Sequence, residues 1–159
     1  MRVRHSGSRM SGLVLIVLAL VVPVLAAAQG APRSAINGRW AGFWVSYSSE
    51  SQGFLYEATM TLAVGANNAV DGRIDWVLRK SPRAAEQAKV GMTAVEFVRG
   101  SYDPQGGVIR LAGYRKDDPN NVIGLDRYHL VVSDNGRVIG GITESQGSWQ
   151  GSLSTLKRP

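Results

Sequence analysis

The stretches Gly38–Trp44, GRWAGFW, and Gly147–Leu153, GSWQGSL, share the phrase Gly-x-Trp-x-Gly. Each phrase opens a segment in which apolar and polar residues alternate, as they do in a half-buried β-strand. In a closed meander of strands, the first strand pairs with the last. The sequence therefore predicts that the two phrases lie in the first and last strands of a barrel. We expect them to meet across the seam, with Trp40 and Trp149 buried.

The alternation continues through the region between the two phrases. In VDGRIDWVL, residues 70–78, the apolar Val70, Ile74 and Trp76 share one face, and polar residues occupy most of the other. Turn-forming residues separate most such segments, at 65–68, 103–107, 118–121 and 134–136. Strands are predicted at 39–47, 54–64, 70–78, 92–102, 107–116, 126–133, 137–144 and 148–156. The predicted fold class is all-β, an eight-stranded antiparallel up-and-down barrel.

Three regions are predicted along the chain. Residues 1–28 combine a basic start, an unbroken apolar run over 13–25 and three alanines at 26–28, a pattern typical of a signal peptide cleaved near Ala28. Residues 29–37 are expected to form a flexible N-terminal segment, and residues 38–158 a single β-barrel domain. Ser81-Pro82 and Gly91 favour one short helix near 81–90, lying over a barrel mouth. The protein is expected to be periplasmic or secreted.

Charge and cysteine content restrict the classes of partner and of stabilisation. Removing residues 1–28 takes away three of the 18 basic residues and none of the 12 acidic ones, which leaves a net charge of +3. The basic residues are scattered rather than clustered, which argues against nucleic-acid binding. The chain has no cysteine, so a lipid-anchored lipoprotein and disulfide bonds are excluded. Hydrophobic packing must therefore supply the stability.

Glycines recur two residues after an apolar residue, on the face that each strand turns inward. They are Gly42, Gly72, Gly100, Gly113, Gly141 and Gly151. Glycine within a strand weakens it, and it is usually kept where a sheet bends sharply or a bulky neighbour needs room. A barrel of about eight strands is just wide enough to be filled by side chains or to hold one small ligand. The glycines therefore favour a tightly curled sheet with indoles packed in the gaps.

The pattern resembles that of the calycin group, the lipocalin-like and avidin-like eight-stranded barrels. The resemblance rests on Gly38-Arg39-Trp40 at the start of the first strand, on the strand count, and on an end soon after the eighth strand. Lipocalins usually add a helix after the barrel, so this chain is more similar to avidins. Periplasmic inhibitors of secreted metalloproteases are similar in size and barrel, but they typically carry a cysteine pair. None of these families supplies binding residues for this chain.

Three charged residues fall in phase with the predicted core: Glu96, Arg115 and Asp126. Charges inside a barrel are costly unless they are paired, so the three suggest an internal ion-pair network or the polar handle of a ligand site. The alternative is a fourth strand shifted by one residue, with Phe97 inside and Glu96 in water. The candidate ligand-binding residues are Trp44, Tyr56, Trp76, Glu96, Tyr102, Arg115, Asp126 and Tyr128. No catalytic residue, metal site or cofactor is predicted, and His129 is expected on the outer face.

The function predicted from these features is that of an exported binding module. Its partner would be a small apolar or amphipathic molecule, or another protein. A first alternative is a barrel enzyme, an isomerase or lyase that uses Glu96, Asp126 and Arg115. A second is a periplasmic protease inhibitor that presents residues 29–37. Apolar residues predicted on outer faces, including Phe43, suggest a partner surface or a homo-oligomer.

Overall fold

The computed structural model describes residues 31–47, 53–145 and 147–159, and these form a closed barrel of eight antiparallel strands in chain order. The strands are β1 (Gly38–Ser46), β2 (Leu55–Val64), β3 (Ala69–Lys80), β4 (Thr93–Asp103), β5 (Val108–Asp117), β6 (Arg127–Val132), β7 (Val138–Ser145) and β8 (Ser148–Lys157). The predicted fold is confirmed, and every predicted strand is present with bounds correct to within one or two residues. The predicted signal peptide, residues 1–28, lies outside the described residues.

Strands β1 and β8 close the barrel, as the two tryptophan phrases predicted. Trp44 lies opposite Leu153, and Ser46 lies opposite Gly151. Because the strands are antiparallel, the start of β1 lies beside the end of β8, and Trp40 faces Lys157. The expectation that the two phrases meet across the seam was therefore wrong. They lie at opposite ends of the barrel.

Trp40 and Trp149 also differ in burial. Trp40 is fully buried, as predicted, whereas Trp149 is 47% exposed. The reason is a register shift between β7 and β8, where Thr143 pairs with Gly151 but Glu144 pairs with Trp149. The extra residue on β8, Gln150, forms a bulge that reverses the face occupied by the preceding side chain, Trp149. Trp149 consequently lies outside, with its ring edge-on to His129 at a centroid distance of 5.3 Å.

The two ends of the barrel differ, and we name them for use below. The mouth is the end formed by the connections that follow β1, β3, β5 and β7. The closed end is formed by the remaining connections and by residues 31–37. Near the closed end the interior is filled by apolar side chains, among them Trp40, Met60, Leu62, Val70, Ile109, Leu130 and Ile139. Among the described residues, a pocket lies in the other half of the interior, toward the mouth.

The closed end is covered by a one-turn helix, α1 (Arg33–Ile36). Ile36 is fully buried. Its carbonyl oxygen accepts a hydrogen bond of 2.9 Å from the Trp40 indole. Arg33 donates to the carbonyl oxygen of Ala66 at 2.6 Å, and Asn37 accepts from the backbone N–H of Val64 at 2.7 Å. These contacts hold residues 31–37 against the barrel, where the sequence predicted a flexible segment.

The predicted short helix near 81–90 is a 3₁₀-helix, Ala84–Lys89, in the connection between β3 and β4. The Ser81 hydroxyl oxygen accepts a 3.2 Å hydrogen bond from the backbone N–H of Arg83 just before it. Gly91 follows it with φ +90°, a conformation that favours glycine. Among the residues that the structure describes, no helix is long and apolar enough to cross a lipid bilayer.

Candidate functional site

A pocket of about 240 Å³ lies inside the mouth of the barrel. We call it the mouth pocket. It is lined by Trp44, Phe54, Tyr56, Trp76, Arg83, Glu86, Glu96, Val122, Ile123, Gly124, Asp126, Tyr128, Ser145 and Gln150. The barrel strands supply its inner part, and the connections β3–β4 and β5–β6 supply part of its rim. An eight-stranded barrel can hold one small ligand in such a space.

Most of the predicted ligand-binding residues meet in this pocket. They are Trp44, Tyr56, Trp76, Glu96, Asp126 and Tyr128. Tyr102 is buried, but it lies near the closed end, where its hydroxyl donates to the carbonyl oxygen of Ala31. It shares the inward phase of Glu96 but is six residues farther along β4, about 20 Å at the rise of a strand. Strand periodicity predicts correctly that Tyr102 faces inward, but it does not indicate at which end of the barrel a residue lies.

Arg115 lies on the outer face of the barrel, so its predicted inward position was wrong. Phe97 pairs with Arg115, but the next pair along β4 is Val98 with Gly113, which makes Tyr114 an extra residue on β5. This bulge turns Arg115 outward. Its guanidinium lies over the Phe97 ring at 3.7 Å from the centroid. The enzyme hypothesis loses the one cation that it placed inside the barrel.

Aromatic rings form the apolar wall of the mouth pocket. The Trp44 ring lies 5.5 Å from the Tyr56 ring at an angle of 70°, and the Trp76 ring lies 6.1 Å from it at 81°. The Phe54 ring stacks on the Tyr56 ring at a centroid distance of 6.1 Å and an angle of 18°. A Cβ built at Gly151 would overlap the Trp44 indole, so the glycine makes room for this ring. The rings of Trp44, Tyr56 and Trp76 therefore meet edge to face and do not form a parallel stack.

Glu96 is the buried acid of the pocket, 1% exposed, as the unshifted phase of β4 predicted. Its carboxylate accepts hydrogen bonds from the Trp76 indole at 3.2 Å, from the backbone N–H of Asp126 at 3.3 Å and from the Tyr128 hydroxyl. Burial raises the pKa of Glu96 to about 7, and the nearby Asp126 charge acts in the same direction. The three donors oppose this shift because they favour the charged form.

Asp126 is the second acid of the pocket. Burial raises its pKa to about 6, against the effect of hydrogen bonds from the hydroxyls of Ser145 and Thr143. The Thr143 oxygen accepts a 2.8 Å hydrogen bond from the Trp44 indole, so its own hydrogen is left for Asp126. Thr143 and Ser145 were missed by sequence reasoning. Thr143 has the inward phase of its strand, and that was the only available signal.

The two tyrosines of the pocket stay neutral. Tyr128 is fully enclosed, and its pKa is raised well above its ordinary value, first by burial and then by the Glu96 charge. Burial raises the pKa of Tyr56 to about 12. The Tyr56 hydroxyl donates a 2.8 Å hydrogen bond to the carbonyl oxygen of Val122. Both hydroxyls therefore serve as hydrogen-bond donors to the protein.

The β5–β6 connection is held in place over the mouth by Asp118. Its carboxylate accepts hydrogen bonds from the backbone N–H groups of Val122 at 2.7 Å and Ile123 at 3.0 Å. Lys116 adds a contact of 3.0 Å. Burial works against ionisation, but these partners hold the pKa of Asp118 below its usual range. The wall formed by residues 122–124 is therefore fixed by side chains outside the pocket, and the sequence marked this segment only as a turn.

Comparisons with known proteins give no indication of the function of this protein. No protein-family model matches the chain, and no curated protein matches it. Within residues 31–47, 53–145 and 147–159, no group of three or more histidine, cysteine, aspartate or glutamate side chains is placed to hold a metal ion. The mouth pocket, with aromatic walls and two acids of raised pKa, is the feature from which a function can be argued.

Proposed function

We propose that this protein is an exported, calycin-like binding module that holds one small amphipathic molecule in the mouth pocket. The observation that carries the proposal is the division of the barrel interior. One half is filled by apolar side chains, and the other half leaves about 240 Å³ between aromatic rings, the buried Glu96 and the partly buried Asp126. Pockets that are mostly apolar with a few placed polar groups are typical of small-molecule sites. Export is inferred from residues 1–28 of the sequence alone.

The docked N-terminal residues weigh against the inhibitor hypothesis. A protease would have to bind residues 29–37, yet Ile36 is buried and residues 31–37 are hydrogen-bonded to the closed end. The alternative of a protein partner rests on the outer faces, where Phe43, Val45 and Tyr47 are exposed. These residues are apolar apart from the Tyr47 hydroxyl and carry no charge, so they do not specify the chemistry of a partner. The pocket is therefore the stronger basis for a proposal.

A second candidate function is acid–base catalysis by Glu96 and Asp126. The observation in its favour is that burial raises the pKa of both carboxyls, to about 7 and about 6, toward the range in which acid–base catalysts work. An isomerase or lyase would then act without Arg115. Turnover separates the two functions, because a binding module returns its ligand unchanged after incubation and an enzyme does not.

The four tryptophans supply an internal control for a binding test. Trp44 and Trp76 line the pocket, whereas Trp40 lies in the filled half and Trp149 lies outside. We would titrate ¹⁵N-labelled protein with 2-phenylethylamine, 2-phenylethanol and 3-phenylpropionate in turn. The indole N–H signals of Trp44 and Trp76 should shift with at least one probe, and those of Trp40 and Trp149 should not. If no probe moves the first pair selectively at millimolar concentration, the proposed function is wrong.

A matched pair of glycine variants tests whether the pocket itself is the site. A Cβ at Gly124 would meet only the Asp126 carboxylate, at 3.8 Å, so Gly124→Leu should fold and occupy pocket volume. Gly65→Leu makes the same change at the closed end, where the nearest atom to a Cβ is 3.3 Å away. The first variant should abolish the indole shifts, and the second should retain them. Equal shifts in both variants would place binding elsewhere.

A further inference from the structure

The mouth pocket has a charge opposite to that of the chain around it. Without residues 1–28, the chain has a formal net charge of +3. The pocket is lined by three acidic residues, Glu86, Glu96 and Asp126, and by one basic residue, Arg83. The side chain of Arg83 is 52% exposed, and it lies within 3.6 Å of Glu86 at the rim. The interior of the pocket therefore carries the two carboxyl groups and no lysine or arginine.

Hydrogen-bond donors in the pocket wall are directed at protein acceptors. The Trp44 indole donates to Thr143, and the Trp76 indole and the Tyr128 hydroxyl both donate to Glu96. The Tyr56 hydroxyl donates to a backbone carbonyl. A ligand that must accept hydrogen bonds, such as a carboxylate, finds these donors already engaged. What remains for a ligand is the acceptor capacity of the carboxylates, each of which has about four lone-pair sites.

Glu96 and Asp126 form no ion pair with another described residue. Within the part of the chain that the structure describes, no ion pair joins Glu96 or Asp126 to a lysine, arginine or histidine. A carboxylate held away from water is costly unless an opposite charge compensates it. A cation that entered the pocket would supply this compensation. The attraction between the cation and the two uncompensated carboxylates would favour its binding.

The aromatic wall is suited to the same kind of ligand. Cations are attracted to the faces of tryptophan and tyrosine rings, most strongly where water is displaced. The rings of Trp44 and Trp76 stand at 70° and 81° to the ring of Tyr56, so they form corners that can surround an alkylammonium group. The same rings provide apolar contact for the rest of a small molecule. The acidic groups and the aromatic surface therefore both favour a ligand that combines a positive charge with an apolar body.

We propose that the mouth pocket selects a small organic cation, a protonated amine on an aromatic or aliphatic body. Its ammonium group donates hydrogen bonds to Glu96 and Asp126, and its body lies against the rings of Trp44, Tyr56 and Trp76. This inference rests on the proposed function, because it names the class of ligand for the same pocket. It adds a requirement that the proposed function lacks, namely a positive charge on the ligand.

Three probes of similar size and different charge test this requirement on the wild-type protein. 2-Phenylethylamine is a cation at pH 8, 2-phenylethanol is its neutral counterpart, and 3-phenylpropionate is an anion. Calorimetric titration at pH 8 should give an affinity for the amine at least tenfold higher than for the alcohol, and higher still relative to the carboxylate. If the alcohol or the carboxylate binds as tightly as the amine, the inference is overturned and the proposed function stands. If none of the three binds, both are overturned.

Charge-neutralising variants assign the selectivity to the two acids. Glu96→Gln and Asp126→Asn should each weaken amine binding at least tenfold and weaken alcohol binding by a clearly smaller factor. Asp71→Asn, on the exposed outer face of β3, serves as the matched control and should change neither affinity. Circular dichroism confirms which variants are folded, and either folded variant suffices. Equal weakening of amine and alcohol would show a packing defect and would contradict the proposed role of the charges.

Discussion

The carboxylate of Glu96 occupies the space that a side chain at position 113 would need. A Cβ built at Gly113 would overlap the Glu96 carboxylate oxygen and lie 3.1 Å from its carboxyl carbon. Gly113 also donates a 2.8 Å backbone hydrogen bond to the carbonyl oxygen of Asp126, the neighbouring acid. The glycine therefore allows β5 to approach the buried acid closely. The absence of a side chain at position 113 is therefore required for the position of the Glu96 carboxylate in the pocket.

Gly113→Ala should destabilise the protein because the new methyl group displaces the Glu96 carboxylate. Overpacking of this kind typically costs about 1–3 kcal/mol. In a Glu96→Ala background the methyl group finds space, so the cost of the same change should fall by about 1 kcal/mol or more. Urea unfolding of the two single variants and the double variant measures this coupling energy. Additive effects would show that the two residues do not compete for space.

The pH dependence of stability should report the buried acid. The pKa of Glu96 is raised from 4.5 to about 7 in the folded protein, so the folded state holds the proton more tightly than the unfolded chain. The associated stability is fully present below pH 4.5 and is lost as pH rises through 7. A shift of this size corresponds to a stability change on the order of 3 kcal/mol. The wild-type protein should therefore be more stable at pH 5 than at pH 8.

Glu96→Gln isolates this contribution. The variant cannot ionise at position 96, so its stability should change less between pH 5 and pH 8 than that of the wild type. Part of the slope should remain, because the pKa of Asp126 is also raised, from 3.8 to about 6. Glu57→Gln, at a carboxylate paired with Arg79 on the exposed outer face, is the matched control and should keep the wild-type slope. If stability changed with pH equally in the wild type and in Glu96→Gln, the raised pKa of Glu96 would not be the cause of the pH dependence.

Strand alternation predicted the barrel well because most strands are regular. The inward positions of Trp44, Trp76 and Glu96 follow directly from period two, and the turn residues separated the strands correctly. The errors at Arg115 and Trp149 have one cause. Each lies next to a bulge, Arg115 directly after Tyr114 and Trp149 directly before Gln150, and the extra residue reverses the phase of the alternation. The extra residues are neither glycine nor proline, and the adjacent Gly113 and Gly151 were interpreted as signs of curvature rather than of a bulge.

The rest of the site depends on tertiary contacts that a single sequence does not reveal. Val122 and Ile123 reach the mouth because Asp118 fixes the β5–β6 connection from outside the pocket. Thr143 was identifiable only as a small inward residue, and its hydrogen bond to Trp44 joins strands at distant positions in the chain. For Tyr102, the inward face was predicted correctly, but its distance from the pocket was not.

The two tryptophans of the repeated phrase should differ in their contribution to stability. Trp40→Ala removes a fully buried ring and should cost about 3–5 kcal/mol. Trp149→Ala removes a half-exposed ring that contacts His129 on the outer surface, and should cost about 1 kcal/mol or less. Urea unfolding of both variants measures the difference. Similar costs would mean that β8 keeps its regular phase through Gln150 and that Trp149 is buried.

The position of Arg115 gives a parallel prediction for charge. Arg115→Met removes a guanidinium that stacks on Phe97 outside the barrel, so the expected cost is about 1 kcal/mol or less at both pH 5 and pH 8. An arginine that compensated Glu96 inside the barrel would behave differently. Its loss would cost several kcal/mol at pH 8, and part of that cost would be recovered at pH 5. Unfolding curves at the two pH values distinguish these positions.

The N-terminal cap should be part of the cooperative fold. Ile36 is fully buried beneath the closed end, and its carbonyl oxygen holds the Trp40 indole, so Ile36→Ala should cost about 2–5 kcal/mol. The Trp40 indole hydrogen should also exchange faster with solvent, because its acceptor loses its anchor. Ser34→Ala, on the exposed side of α1, is the control and should be nearly neutral. A flexible segment would give no stability loss for Ile36→Ala and an unchanged exchange rate, and that result would contradict the docked position of α1.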